Sequence, residues 1–529
     1  MKGSKKSLMI LLFICLAAVL FAGGNQQSTG QGGAWIPSTA GGGKLTDTPI
    51  TLKIFQAYNS VTRPYAEMEL WKRYEKRTNV IINWISVTDE ERNEKRNLSI
   101  ASGDLPDAYY RCGFGNQDLF TYGMDGLFID LTPLIPQYAP YFKRMMDADR
   151  AISKGITQAD GKIYSLPFLC DFLSANYGTK IFYNKVWLDA VNRSEPETLD
   201  EFLSLFRLFK QRNPGGREKC IPLECNDIGG VIIYFHGVFG LQNRGSTANK
   251  VDMDPRTNQL RFYYGVDEYR QEMEFLNLLF REGLLNPDIF TNNLNLAGAN
   301  MQNQYTGAYI AVNPMAAGQF ASDYIGGGVM AGPTGIKLAN GINPKMRDPG
   351  ALTITNVNKY PELTLAWADY FYSDTGVLEY FMGWEGETYT IENGVYTYVP
   401  YITNNPNGLV LDQAVSQFVP WPGAGQPTLQ TEPYSKGGAS MPQAVDATRK
   451  ADGYFPSEIW PQFTYTAQES ERLIPLNTDL TTCINEARAN FITNGVTDAS
   501  WNRYLSDLRS IGLEEFMRIQ QDSYTRYSR

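Results

Sequence analysis

Between residues 198 and 210 the apolar positions Leu199, Phe202, Leu203, Phe206 and Phe209 recur at three- and four-residue steps. Such spacing predicts a helix with one face turned to a core. Thr198 precedes the run and Glu201 follows three positions on, which predicts a capping box: the Thr198 hydroxyl accepts from the Glu201 N–H, and the Glu201 carboxylate accepts from the Thr198 N–H. Just upstream, residues 183–197 read as a strand end, a short helix and a proline-limited loop. Ile50–Phe55 and Val80–Val87 read as strands, and Pro64–Lys76 as a helix with Trp71 and Tyr74 on its apolar side. Residues 98–110 read as a helix end and then a strand. Residues 360–373 read as a helix with Leu363, Ala366, Trp367, Tyr370 and Phe371 on one face. Strands separated by helices of this length predict α/β layers with a largely parallel sheet. No repeat of solenoid period is present, and 529 residues exceed what one core accommodates, so at least two domains are expected.

Several segments, in order, carry a resemblance: SGDLPDAYY (102–110), GLFIDLTPLI (126–135), DGKIYSLPF (160–168), YNKVWLDAVNRSEPETLDEFLSLFRLFK (183–210), REGLLNPDIF (281–290), KYPELTLAWADYFYS (359–373) and GWEGETYTIENG (383–394). Together they resemble family 1 extracellular solute-binding proteins, the receptors that feed ABC importers, over nearly all of the chain after residue 50. The resemblance implies an α/β fold of two lobes, a periplasmic-binding-protein type II clamp with several inter-lobe crossovers. Matching motifs place lobe one at 49–167 plus 350–390 and lobe two at 168–349 plus 391–529. Such a clamp closes by hinge motion, with a few residues between rigid bodies absorbing the dihedral change.

The N-terminus sets the compartment. Lys2, Lys5 and Lys6 precede an apolar run from Leu8 to Phe21, and Ala22-Gly23-Gly24 supplies small residues for cleavage, so residues 1–24 read as a secretory signal. The run is shorter than the ~20 residues a spanning helix needs. Many relatives are lipoproteins, but the corresponding box here, Leu20-Phe21-Ala22-Gly23-Gly24, has no cysteine, and Cys15 lies inside the apolar run. A free periplasmic protein is therefore expected rather than an anchored one. Residues 25–48, rich in Gly, Gln, Ser and Thr, read as a flexible leader.

Cleavage at residue 24 takes the formal charge from −9 to −12, since three lysines and no acid leave with the signal. That surface argues against nucleic acid as a partner. Five cysteines remain: Cys112, Cys170, Cys220, Cys225 and Cys483. Cys220 and Cys225 are near enough in sequence to bridge a small loop, or they stay free thiols; no CxxC zinc pattern occurs.

Enzyme chemistry finds little to work with. His236, the one histidine of the chain, sits in the apolar string VIIYFHGVFG and reads as a core residue. No GxSxG elbow, P-loop, HExxH or dinucleotide fingerprint occurs in a supporting context. Asp104 with Asp107, and Glu385 with Glu387, are the acid pairs a glycosidase would need, but the resemblance makes them scaffold or cleft-rim residues. Relatives often carry a calcium loop after the capped helix. Here that stretch reads KQRNPGGREKCIPLE, with no aspartate, with Asn213 and Glu218 as the oxygen side chains suited to the loop before Cys220, and with three basic residues from Arg212 to Lys219 that repel a dication. The string from Asp252 has Thr257 and Tyr263 where an EF-hand needs Gly and Glu, and reads as a β-turn. No metal and no cofactor are expected.

The positive signal is aromatic and amide-rich. Phe, Trp and Tyr make up 13% of the chain. A sugar packs its C–H faces on aromatic planes and pairs its hydroxyls with amides and charged groups. Ligands of open α/β sheets sit beyond the carboxyl ends of strands. These considerations give the candidate ligand residues Gln56, Tyr58, Asn59, Tyr109, Tyr110, Arg111, Asn176, Tyr177, Trp384, Glu385, Trp421 and Trp460, although most aromatics of a chain this long fill cores. The expectation is a monomeric receptor that captures a carbohydrate, an oligosaccharide above all, and delivers it to the transmembrane subunits of an ABC permease. A secreted glycosidase or lyase, a sensory or adhesion receptor, and a peptide-type solute receptor are the other classes.

Overall fold

The computed structural model describes residues 42–60, 62–246, 250–420 and 425–529. The signal segment, most of the leader and Trp421 lie outside the described residues. The end of the expected leader belongs to the fold: Leu45 and Thr46 are buried, and the Leu45 N–H donates to the Thr78 carbonyl at 3.0 Å.

Ten strands form two sheets: β1 (Ile50–Tyr58), β2 (Val80–Thr88), β3 (Ala108–Phe114), β4 (Ser165–Cys170), β5 (Lys180–Asn184), β6 (Ile221–Cys225), β7 (Thr306–Ala311), β8 (Tyr324–Gly326), β9 (Met346–Ile354) and β10 (Leu429–Gln430). The first sheet has the order β10-β4-β9-β3-β1-β2, and the second β8-β5-β7-β6. β1 pairs in parallel with β2 and β3, while β9 runs antiparallel between β3 and β4. In the second sheet β6 and β7 are parallel, and β5 is antiparallel to β7 and β8. Helices cover both: α1 (Glu69–Thr78), α2 (Asn116–Met124), α3 (Leu199–Arg212), α4 (Asp267–Arg281), α5 (Pro361–Asp369), α6 (Ala467–Asn494), α7 (Asp498–Ile511) and α8 (Leu513–Ser528) are the ones used below.

Local chemistry explains these elements. The α3 stripe is buried at Phe202, Leu205, Phe206 and Phe209, with Leu199 and Leu203 packed at its margin. Its cap differs from the expected box. The Glu201 N–H does donate to Thr198 Oγ1 at 3.3 Å, but the Glu201 carboxylate accepts from the Glu197 N–H at 2.8 Å, one residue further back. The string from Asp252 is the hairpin Val251–Met253/Leu260–Phe262, and Asp252 is spent on Arg261 at 2.6 Å within it. Cys220 and Cys225 are both free thiols.

Each sheet has its own core. Trp71 and Tyr74 of α1 and Trp367 of α5 form an aromatic block on the first sheet, with the Trp71 and Trp367 rings stacked at 5.6 Å. Residues 398–419 join this core through Tyr398, Ile402, Ala414, Val415 and Val419. The second core gathers α3, α4 and the C-terminal α6, α7 and α8 around β5, β6 and β7. His236 lies in it, fully buried, with Nδ1 2.7 Å from the Glu272 carboxylate.

Candidate functional site

Strand direction locates the cleft. β1, β2, β3, β4 and β10 all point the same way, so Tyr58, Thr88, Phe114, Cys170 and Gln430 end on one edge of the first sheet. In the second sheet β6, β7 and β8 end, and β5 begins, on one edge. The chain crosses between the sheets from β4 to β5, from β8 to β9 and after β10. Every one of those crossings joins one of these edges to the other. The two carboxyl edges are therefore the surfaces that the crossings hold together, which is where α/β proteins place ligands.

A cavity of about 420 Å³ is lined by Phe172 and Gln430 from the first edge, Asn313 and Met315 from the segment after β7, and Val410 and Lys436. A second, of about 470 Å³, shares Asn313 and Met315 and continues past Val312 to Asn226, the residue after β6. Its polar end is fixed by the Tyr309 hydroxyl, which donates to Asn226 Oδ1 at 2.6 Å. The apolar walls are aliphatic and exposed: Val410 at 62%, Leu294 at 56% and Met315 at 52%. Exposed apolar side chains gathered at a cavity rim are surface kept for contact with something else.

Beside the first cavity the same edge is charged. Arg111 takes a positive φ of 58°, uncommon for a side chain of its size. It grips the Asp89 carboxylate with both nitrogens, at 2.5 and 3.1 Å, and reaches the Ala57 carbonyl at 3.3 Å. Gly425 lies against it with φ 99°, where a Cβ would stand 3.1 Å from Arg111 Cγ and 3.6 Å from the Asp348 carboxylate. Burial raises the Asp348 carboxyl above its usual range, and Arg347, Arg111 and Arg92 pull against that rise. Lys345 is paired with Asp171 at 3.1 Å. The rim thus presents Arg111 and Lys345 paired with acids, and Lys436 without an ion pair, beside amides and aliphatic walls. It can hydrogen-bond and pack an uncharged polar solute.

No family model matches the chain. The fructooligosaccharide ABC transporter substrate-binding protein FusA of Streptococcus pneumoniae is 26% identical over 496 residues, 90% of either chain. FusA solved with kestose superposes with a TM-score of 0.73 over 90% of this chain and 99% of that one, at 25% identity. The chain is thus similar, over nearly the whole length of both, to a substrate-binding protein of an ABC transporter. An extracellular solute-binding protein of Bifidobacterium longum subsp. infantis shares the two-lobed fold, at TM-score 0.76 and 20% identity over 92% of this chain and all of that one. FusA has also been solved as an EF-hand mutant with fructo-nystose. In the present chain, no group of three His, Cys, Asp or Glu among the described residues could hold a metal ion.

Of the expected ligand residues, Tyr58, Asn59 and Arg111 stand at the carboxyl edge. The other described ones do not join them. Tyr109 and Tyr110 are fully buried, because β3 is central and its two faces feed two cores: Tyr109 packs on Phe55 and Phe114, and the Tyr110 hydroxyl bonds that of Tyr380 at 2.9 Å. Gln56 is buried in β1. Asn176 and Tyr177 lie buried in the first crossing, where the Asn176 amide donates to the Cys170 carbonyl at 2.8 Å and Tyr177 packs edge-on against Phe455. Trp384 is covered by the Arg73 guanidinium at 3.8 Å, and Glu385 is exposed beside it. Trp460 is in the second core. Asp104 and Glu387, from the two acid pairs, are tied to Lys53 and Arg73.

The site residues missed by sequence reasoning are Asp89, Asn313, Met315, Asp348 and Lys436. Asp89 and Asn313 had a signal: Asp89 follows β2 directly and Asn313 lies two residues beyond the end of β7, so the strand-end rule applied to both strands finds them. Asp348 lies at the start of a strand running the other way, and Lys436 in a loop without pattern.

Proposed function

We propose that this chain is an extracytoplasmic receptor that captures an uncharged oligosaccharide between the two carboxyl edges and passes it intact to an ABC permease. The observation that carries this reading is the match to FusA over 90% of both chains, together with a cleft of amides, matched charges and aliphatic walls at the place the fold reserves for ligands. An uncharged sugar is favoured because Arg111 and Lys345 already have carboxylate partners and the cavity lining that holds Lys436 also holds Asp412, which repels an acidic sugar.

The receptor works as a free monomer exported by a cleaved signal, and no described helix is long and apolar enough to cross a membrane. Lobe one comprises 42–167 and about 346–430, and lobe two about 168–345 and 431–529. This moves the last crossing from 390 to about 430, where β10 leaves the first sheet, since residues 398–419 pack in the first core.

The test is a thermal-shift and calorimetric screen of the mature protein with kestose, nystose, manno-oligosaccharides and oligogalacturonate, with mass spectrometry of the ligand after long incubation. A neutral oligosaccharide at 100 times its Kd is expected to add about 2.7 kcal/mol of stability and to be recovered intact. Cleavage products would make the protein an enzyme, and a response confined to oligogalacturonate would overturn the uncharged ligand.

A further inference from the structure

Glu224 of β6 is fully buried, and the donors that reach its carboxylate are all neutral. Oε1 accepts from the Cys225 N–H at 3.0 Å and from the Asn286 and Asn292 amides, both at 2.8 Å. Oε2 accepts from the Asn286 and Asn300 amides at 3.0 and 2.8 Å. Hydrogen bonds to a charged acceptor are about twice as strong as neutral ones, which is how an acid without a counter-ion is held in a core.

What this acid holds is a wall of the cleft. Asn300 lies in the helix Leu294–Gln302, and Asn292 precedes that helix and also donates to the Cys225 carbonyl at 2.6 Å. Leu294, Asn295, Gly298 and Gln302 line the 470 Å³ cavity beside Asn226, two residues after Glu224. On its other side the helix is tied to the segment that lines both cavities: the Gln302 amide donates to the Ala316 carbonyl at 3.0 Å, next to Met315.

Protonation weakens this hold. The Asn286 amide is oriented by the Asp288 N–H, which donates to its Oδ1 at 2.9 Å, and the Asn292 amide by the Cys225 carbonyl, so Oε1 meets donors only. A proton fits only on Oε2, where Asn300 must turn its amide to accept it, and every bond to the acid then becomes a neutral one. Burial raises the carboxyl above its usual range, while the three amides and the Cys225 N–H pull against that rise. Tyr309, paired with Glu224 in register, and Tyr324 share its face, and Cys225 follows it; burial raises all three. The helix Leu294–Gln302 has no ionisable residue, and Asp323 ends the segment packed on it. Asp288 is exposed, and Asp227 accepts from the Gly230 N–H at 2.9 Å. On the helix Pro442–Lys450, Asp446, Arg449 and Lys450 pair with one another and with Glu195. The His236–Glu272 pair belongs to the second core.

We propose that Glu224 is the positioning residue of the second-sheet wall and makes it acid-sensitive: the carboxylate latches the helix Leu294–Gln302 to β6, and its protonation loosens that helix and weakens ligand binding. This rests on the oligosaccharide reading above. The test takes two readouts on the mature protein at pH 7.5 and 5: calorimetry with kestose, nystose and a manno-oligosaccharide, and hydrogen exchange of residues 286–302 without ligand, corrected for the intrinsic pH dependence of exchange. The native Kd is expected to rise about tenfold over that range, the worth of one or two hydrogen bonds, and protection of 286–302 to fall. Glu224→Gln is neutral at every pH, so at pH 7.5 it should already show the weaker Kd and the lower protection, with the native pH dependence gone. Asp348 titrates in both proteins and cancels from the comparison. Adding Asn300→Asp gives the new amide a carboxylate to donate to and should recover most of both readouts. Equal native Kd at the two pH values, or a native-sized pH dependence kept by Glu224→Gln with a native melting curve, overturns the latch. Loosening of 286–302 with an unchanged Kd overturns its link to the ligand. Failure of every saccharide to bind overturns the proposed function instead, and exchange at 286–302 then decides for or against the latch by itself.

Discussion

Lys180 opens β5 at the edge facing the cleft, and its ammonium is fully buried with carbonyls as its hydrogen-bond partners: Ser174 at 2.8 Å, Val312 at 3.1 Å and Tyr177. It ties the first crossing to the segment that lines both cavities. Burial draws its pKa down to about 7, against about 10.4 in an unfolded chain. The unfolded state therefore binds the additional proton between these values, and stability rises with pH across that window, by up to about 1.4 kcal/mol per unit from this one group. Below pH 7 both states carry the proton and the slope vanishes. Lys180→Met is expected to be less stable throughout, since three carbonyls lose their donor, and the gap to the native protein should widen between pH 7 and 9. Equal pH slopes in urea titrations of the two proteins would refute this. Lys180 was invisible in the sequence because a lysine at a strand start reads as a surface residue. Tyr109 and Tyr110 failed in the opposite sense: an aromatic pair at a strand end looks the same whether it stacks a sugar or feeds two cores, and only the central place of β3 decides.

At the scale of the element, pattern carried further. The strands at 50 and 80 and the helix at 199 are where apolar spacing put them: β1 and the α3 stripe are largely buried, while β2, at the edge of its sheet, fully buries only Val80 and Val87. What spacing does not encode is the partner of a polar end, hence the Glu201 carboxylate on Glu197 rather than Thr198. The loop after α3 was read as lacking its ion from composition alone. In that loop the Asn213 amide nitrogen donates to the Arg217 carbonyl at 2.7 Å, the Tyr305 hydroxyl donates to Glu218, and Asn213 Oδ1 is left without a partner. Without an aspartate in the loop, removing calcium with EDTA should leave the melting temperature within about a degree, since a site that binds nothing contributes nothing by mass action. A fall of several degrees, restored by calcium, would mean the loop holds the ion despite its missing aspartates.

For the whole molecule, the lobe division proposed above keeps the first two crossings near where the resemblance implies them, at about 168 and 350, and differs at the last. β10 has two residues, too few for any periodicity, yet it keeps the chain on the first sheet some forty residues longer than the motifs suggest. That extra stretch matters for motion. With the last crossing near 430, Val410 and Gln430 move with the first sheet while Asn313 and Met315 move with the second, so the 420 Å³ cavity has a wall on each body. A ligand touching both walls binds the closed arrangement better than the open one, and a shift from 1:99 to 99:1 needs about a 10⁴-fold preference. Small-angle scattering is expected to show a smaller radius of gyration when a bound oligosaccharide saturates the protein. Met315→Asp and Val410→Asp, one change on each wall, should each weaken binding. The pair together should lose less than the sum of the two, because both act on the same closed contact. Strict additivity with unchanged scattering would place both walls on one rigid body and return the last crossing to an earlier point in the chain.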